Sequence, residues 1–384
     1  MKKCFFLLTF MFQFLFVGVS AQQTEQLKVA TLNIDGLPKK ILVFNVNAEG
    51  PGDAGTSRIG KYLAAKAYDI VCIQEDFNYH DVLVPWLEDN YRFDTWSGAV
   101  GIDVPGKKID LLHVQNEQFE CDGLGACWKN NILMTATERV AWKKMFGKFS
   151  HAADALVTKG FRRSELTLAN GTGIIVYNMH MDASDIADEK EGKDGPDREA
   201  RLSEWQQLLE DVLAHLDTRP IIIMGDMNSY YCRDQIKAEF IDKIAESGKG
   251  IASDVWVELK KGGKYPSPKT GIVFTEDAAN ILDGELLDKI IYVNPTTGTQ
   301  LKALSWNMDV EGFLHEGQPL GDHYPVTATF EVAVDKASTG IETVRSVSEE
   351  PVEYYNLNGQ RISQPDKGPY IEHRGQENRK RINK

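Results

Sequence analysis

Pro220-Ile221-Ile222-Ile223-Met224-Gly225-Asp226-Met227-Asn228 is an apolar run that ends in a carboxylate and an amide. A short run of this kind, opened by Pro and closed by Gly, predicts a strand Pro220–Asp226 buried on both faces, as in layered α/β proteins. Asp226 and Asn228 alternate, so both are expected on one face of the strand end. Four further clusters repeat the pattern: Thr31-Leu32-Asn33, Ile73-Gln74-Glu75, Asn178-Met179-His180-Met181-Asp182 and Gly321-Asp322-His323-Tyr324-Pro325-Val326. Each places a carboxylate, amide or imidazole beside a strand-like run, and strand ends are where open α/β architectures hold their chemistry.

Working outward, the strand pattern also falls on Lys28–Ile34, Ile70–Glu75, Gly123–Trp128, Ile132–Trp142, Glu165–Leu168, Gly173–Met181, Lys289–Val293, Ala303–Met308 and Val326–Val334. These runs alternate or are rich in Val, Ile and aromatics. Apolar residues recur at three and four in Arg58–Tyr68 and Glu199–His215, which predicts helices. Gly36–Ser57 and Ala183–Asp197 read as loops. Many strands with a few interspersed helices predict two packed sheets flanked by helices.

The 384-residue chain opens with Met1-Lys2-Lys3, an apolar run from Cys4 to Val19, then Val19-Ser20-Ala21. This is the order of a signal peptide spanning 1–21, so the expectation is export across the inner membrane to the periplasm, cell surface or medium. Residues 22–334 form one large domain, 335–350 a polar linker and 351–384 a short tail. Without Lys2 and Lys3 the chain keeps 41 basic and 56 acidic residues, a net charge of −15. Sequence-independent attraction to a polyanion comes from Lys and Arg neutralising phosphates, so this balance disfavours that role. Among Cys72, Cys121, Cys127 and Cys232, an exported chain admits a Cys121–Cys127 disulfide, against the competing reading of small buried thiols. In the tail, Asn358-Gly359 predicts a β-hairpin turn. The surrounding Tyr355-Asn356-Leu357-Asn358-Gly359-Gln360-Arg361-Ile362 also resembles C-terminal sorting segments of exported Gram-negative proteins.

Taken together, the five clusters resemble those of the endonuclease/exonuclease/phosphatase superfamily, over about Leu27 to Phe330. Its members include abasic-site endonucleases, pancreatic-type deoxyribonucleases, inositol-polyphosphate phosphatases and neutral sphingomyelinases. The resemblance implies an α/β fold, a four-layer α/β/β/α sandwich of two mostly antiparallel sheets. It also implies a metal-dependent phosphoric ester hydrolase. Glu75 and Asn33 would hold Mg²⁺ (or Mn²⁺), an oxygen-ligand pair suited to a hard cation. Asp226 would orient the attacking water, Asn228 would hold a non-bridging oxygen, and His180 would donate to the phosphoryl oxygen. His323 would act as base, with Asp322 fixing its tautomer or touching the metal. Asp288, in Leu287-Asp288-Lys289-Ile290, matches the acid that orients a catalytic His, with Asp283 as a nearby competitor.

Lys159 in Lys159-Gly160-Phe161 matches a Lys-Gly pair near the substrate in sphingomyelinase-like members. Asp182 alternates with His180 toward the same face and is the second candidate for substrate binding. Asn33-Ile34-Asp35-Gly36-Leu37-Pro38 and Gln74-Glu75-Asp76-Phe77 look closer to the sphingomyelinase or phospholipase C branch than to abasic endonucleases. The expected partner is a phosphodiester, such as a membrane phospholipid head group, with no stable protein partner. The alternatives are an extracellular endonuclease acting on nucleic acid and a sugar or inositol phosphate phosphatase. The apolar stretch Ile41-Leu42-Val43-Phe44 offers a lipid-facing rim to the first reading, with a short core strand as the competing reading.

Overall fold

The computed structural model describes residues 24–41, 44–45, 47–100, 120–147, 151–267 and 285–333, and four short segments between 353 and 383. The leader, the linker, Asp283 and the centre of the Ile41–Phe44 stretch lie outside the described residues. Two compact units are present, Met1–Ser338 and Thr339–Lys384.

The larger unit holds two six-stranded sheets. The first contains β1 (Thr24–Asn33), β2 (Ile70–Gln74), β3 (Tyr91–Phe93), β4 (Gly125–Lys129), β11 (Gln300–Met308) and β12 (Val326–Ala333). Their order is β11-β12-β1-β2-β4-β3. The second contains β5 (Leu133–Ala141), β6 (Gly160–Thr167), β7 (Gly173–His180), β8 (Ile221–Asp226), β9 (Gly250–Asp254) and β10 (Asp288–Pro295). Their order is β9-β10-β8-β7-β6-β5. Each sheet has one parallel pair, β1 with β2 and β7 with β8, and every other pairing is antiparallel. The first and last strands of the unit are neighbours, with Thr24 opposite Ala333.

Period-two alternation assigns the apolar residues of the central strands to one of three cores. Leu27, Val29, Ile70, Cys72, Ile174, Val176, Ile222 and Met224 pack between the sheets. Ala30, Leu32, Val71 and Ile73 face outward onto Ile59, Tyr62 and Leu63 of helix α1 (Gly52–Lys66). Ile175, Tyr177, Ile221 and Ile223 face Trp205, Leu208 and Val212 of helix α2 (Gly195–His215). Both sheets are therefore covered on both sides, which is why these strands read as continuous apolar runs. The layers are helix, sheet, sheet, helix.

Several local readings are corrected. Helix α1 starts at Gly52 rather than Arg58, with Pro51 at its start, where a missing N–H costs little. The segment read as a loop up to Ser57 thus contributes a helical turn, and ahead of it Lys40–Ile41 pairs with Phe44–Asn45. Ala183–Asp197 contains a helix at Ile186–Glu191, capped by Asp185, and the first residues of α2. All four described cysteines are buried and free, with Cys121 and Cys127 in separate core clusters, so the disulfide reading falls. No helix among the described residues is long and apolar enough to cross a membrane.

In the smaller unit, Glu353–Tyr355, Arg361–Ile362, Gly368–Arg374 and Glu377–Asn383 form an antiparallel four-stranded sheet. The strands flanking Asn358-Gly359 do pair, and two further strands extend that hairpin.

Candidate active site

The inter-sheet face of each central strand changes from apolar to polar near its C-terminal end. On β1 the sequence Leu27, Val29 gives way to Thr31 and Asn33, and on β7 Ile174, Val176 gives way to Asn178 and His180. Gln74 ends β2 and Asp226 ends β8 in the same way. Within each parallel pair the two ends lie side by side, and the packing of the sheets brings the two pairs together. The Asn33 amide joins them, its Nδ2 donating to Glu75 Oε1 at 2.9 Å and to Asp226 Oδ2 at 3.1 Å. Asp226 is in register with His180 on one side and with Asp288 on the other.

Just past the strand ends, Asp35, Glu75 and Asn228 have φ of 49°, 56° and 45°. Asp and Asn tolerate this left-handed region, whereas for Glu75 it is strain that the surroundings must impose. Close packing imposes it. A Cβ on Gly36 would lie 2.1 Å from the Glu75 carbonyl oxygen, and Asn78 N donates to Gly36 O at 2.9 Å. A Cβ on Gly225 would lie 2.0 Å from Met179 O, so β8 can approach β7 only with glycine there. The Asn228 carbonyl accepts from Arg233 Nη2 at 3.0 Å, which holds its unusual conformation.

His323 Nδ1 bonds Asp288 Oδ2 at 2.7 Å, and its Nε2 lies 3.6 Å from Asp226 Oδ2. His180 Nε2 lies 3.5 Å from the same Asp226 oxygen. The two imidazoles differ in charge. Burial and the Lys159 ammonium hold His180 well below the usual histidine range. Burial alone would lower His323 too, but the Asp288, Asp226 and Asp322 carboxylates override it and raise it well above that range. Lys159 is itself buried, ion-paired with Asp154, and places Nζ 3.1 Å from His180 Nε2. His180 therefore accepts at Nε2, and its ring proton sits on Nδ1, which has no partner among the described residues.

Glu75 and Asp35 are partly exposed and Asp322 is exposed. Burial with the Asp322 charge pushes Glu75 up to about 7, and burial with Asp322 and Glu75 pushes Asp35 up to about 8. Oxygen donors crowded enough to suppress one another's ionisation are the donor set of a hard divalent cation, so these residues fit one. Asp226, Asp288 and His323 also offer ligand atoms within 4.8 Å of one another. There, however, the 2.7 Å bond commits Asp288 to the imidazole, so that trio is the candidate for handling protons, and Glu75, Asp35, Asp322 and Asn33 are the candidates to hold a metal.

Two sequence-based roles change. Asp182 has no exposed surface. Its Oδ2 accepts from Phe146 N at 2.6 Å, so it secures a neighbouring loop and presents no surface to a substrate. The alternation that paired it with His180 ends with β7 at His180. Asn228 commits one amide proton to Met181 O at 3.0 Å and its backbone N to Asp226 Oδ1 at 3.0 Å, so it fixes Asp226 and the adjoining loop. Asp35 and Asp154 were not singled out from sequence. Asp35 lies two residues beyond Asn33, past the end of β1, where strand alternation gives no guide to its direction.

Glu204 of α2 is fully buried and accepts from Asp182 N at 3.0 Å. Burial and the Asp182 and Asp154 charges raise Glu204, and burial with Asp154 raises Asp182 to about 8. Between pH ~4 and ~8 the folded chain thus binds protons that the unfolded chain has released, so stability falls as pH rises, by up to about 1.4 kcal/mol per unit for each proton. Glu204→Gln removes one such group. Its melting temperature should exceed that of the parent at pH 8 and converge with it near pH 4. A parent-to-variant difference that stays constant across this range would refute the account.

The profile of the endonuclease/exonuclease/phosphatase family matches residues 30–243, more than half of the chain. The chain belongs to that family. Within it, the chain is 26% identical over 326 residues to proteins named sphingomyelinase from Mycobacterium bovis and Mycobacterium tuberculosis. That match covers 84% of this chain and 56% of the relative, so the chain spans about half the length of the curated relatives it matches. An endonuclease/exonuclease/phosphatase from Bacteroides vulgatus aligns with a TM-score of 0.51 at 16% identity, over 81% of this chain and all of that one. TDP2 from D. rerio, solved with a single-strand DNA product, aligns with a TM-score of 0.50 at 15% identity, over 79% and 98%. These two likenesses concern the family fold.

Proposed function

We propose that this chain is an exported, Mg²⁺-dependent phosphodiesterase of the sphingomyelinase or phospholipase C type, in which water attacks phosphorus opposite the leaving oxygen. The observation that carries the chemistry is the row Asp288, His323, Asp226, His180, in which one carboxylate lies between two imidazoles of opposite charge preference. His323 Nε2 takes the proton of the attacking water, and Asp288 holds the tautomer and stabilises the imidazolium. Asp226 orients that water from within reach of the same nitrogen. On the far side, the Lys159 ammonium supplies preorganised positive charge for the phosphoryl oxygens, and neutral His180, which accepts from it at Nε2, holds it in place. Glu75, Asn33, Asp35 and Asp322 would hold the cation. When bound, it supplies Lewis-acid polarisation of a phosphoryl oxygen and offsets the carboxylate field around His323.

The lipid phosphodiester is favoured over nucleic acid by the 26% identity to the mycobacterial sphingomyelinases and by the excess of acidic residues. Export rests on the residue order of Met1–Ala21.

The test is a substrate panel of sphingomyelin vesicles, plasmid DNA, RNA and inositol phosphates, with and without chelator. Sphingomyelin should be cleaved fastest, chelation should abolish turnover, and Mg²⁺ or Mn²⁺ should restore it. Metal ligands must be deprotonated, and Glu75 and Asp35 are both raised, so below pH ~7 the half-saturating Mg²⁺ concentration should rise by at least about tenfold per pH unit. Full turnover after exhaustive chelation would end the metal reading. Plasmid degradation without lipid turnover would replace the lipid reading with a nuclease.

A further inference from the structure

We propose that Asn178 is a positioning residue that sets the separation between the Glu75 half and the His180 half of the site. Asn178 is buried on the inter-sheet face of β7, two residues before His180. Its Nδ2 donates to Ile73 O at 3.0 Å and to Gly125 O at 2.7 Å, and its Oδ1 accepts from Gln74 Nε2 at 2.7 Å. Gln74 Oε1 in turn accepts from Thr31 Oγ1 at 3.2 Å. One amide on the second sheet therefore spends both of its protons and a lone pair on three groups of the first sheet.

The place of these bonds matters. Ile73 and Gly125 are the last registered pair of the β2–β4 ladder, and Gln74 is in register with Asn33 and directly precedes Glu75. Beyond them the chain enters the left-handed turn at Glu75. On the other side the inter-sheet packing is apolar, with Val176 and Cys72 in the shared core. Apolar contact is non-directional and would tolerate sliding of one sheet over the other. Hydrogen bonds weaken steeply off-axis, so three of them from one side chain hold the two strand ends in one relative placement. None of the three bonded groups reaches the reacting atoms. Asn178 acts through the residues on either side of the gap, which are the ones whose spacing a phosphoryl group must match.

The inference rests on the phosphodiesterase reading for its kinetic readout alone. Misplacement of reacting groups by about 1 Å can cost about 10²-fold. Asn178→Ala should therefore lower kcat per folded molecule by about 10²-fold on bis(p-nitrophenyl) phosphate, with KM and half-saturating Mg²⁺ within about threefold. Gln74→Met, which leaves both Asn178 protons in place, should fold well and give a smaller loss. The double variant should be no worse than Asn178→Ala, because the two residues act as one bonded unit. The shape of the pH–kcat profile should not change. In crystals of Asn178→Ala, Glu75 Oε1 and His180 Nε2 should shift relative to the parent by on the order of 0.5–1 Å. A lowered melting temperature with parental kcat per folded molecule, or an unshifted separation, would overturn the proposal. The crystallographic comparison stands even if the parent hydrolyses no phosphodiester, so failure of the functional reading is seen separately.

Discussion

His323→Gln is expected to lower turnover by about 10²–10⁴-fold, the usual contribution of a general base, while the fold persists. The glutamine amide can still donate to Asp288, which accepts from His323 Nδ1 at 2.7 Å in the parent, but it cannot take a proton from water. His323→Ala is expected to cost stability as well. His323 is only 5% exposed and Asp288 only 2%, and removing one partner of a buried pair costs about 3–5 kcal/mol. The alanine variant should therefore lose both activity and stability, and the glutamine variant separates the two. Turnover of His323→Gln within threefold of the parent, at matched melting temperature, would remove His323 from the mechanism.

The second large effect is expected at Asp226. Its Oδ2 accepts from Asn33 Nδ2 at 3.1 Å and its Oδ1 from Asn228 N at 3.0 Å. Asp226→Asn turns one acceptor into a donor, so an amide proton must face either Asn33 or the Asn228 backbone. Turnover should fall by about 10²–10⁴-fold, since the carboxylate that orients the water is gone and Asn33 is pushed from its place. A second readout needs no substrate. Asp226 is one of the charges that raise His323, so removing it should move the His323 titration toward lower pH. An imidazole NMR titration of parent and variant, both metal-free, measures this. An unmoved His323 titration would show that the two groups are not coupled and would dissolve the proposed row.

The sequence made the catalytic strands legible because burial on both faces writes itself as an apolar run, and the first polar residue on the inner face marks the rim. The strand ends that carry Asn33, Gln74, His180 and Asp226 were legible in this way, and Glu75 directly follows Gln74. Composition misled where local signals point away from the tertiary outcome. Gly50-Pro51-Gly52 looks like a breaker, yet Pro51 opens α1, and the acidic stretch before α2 looks like a loop, yet it forms a capped helix. The three-residue β3 and the five-residue β9 are too short to show periodicity. The alternation that linked Asp182 to His180 does not extend past the end of its strand. The bonds of Asn178 were illegible in principle, since nothing in a strand reveals what the facing sheet offers.

The pairing of β1 with β12 has a kinetic consequence. The unit's earliest strand finds its neighbour about three hundred residues later, as Thr24 meets Ala333, and Asn33 meets Asp226 across 193 positions. Loop closures of that span must be paid before their contacts reward them, so folding should be slow for the size of the domain. No fragment released before β12 can hold its first strand between two partners, and His323 arrives only three residues ahead of β12. The proposed hydrolytic competence therefore waits until β12 has been made, and a product terminated ahead of it would be inert.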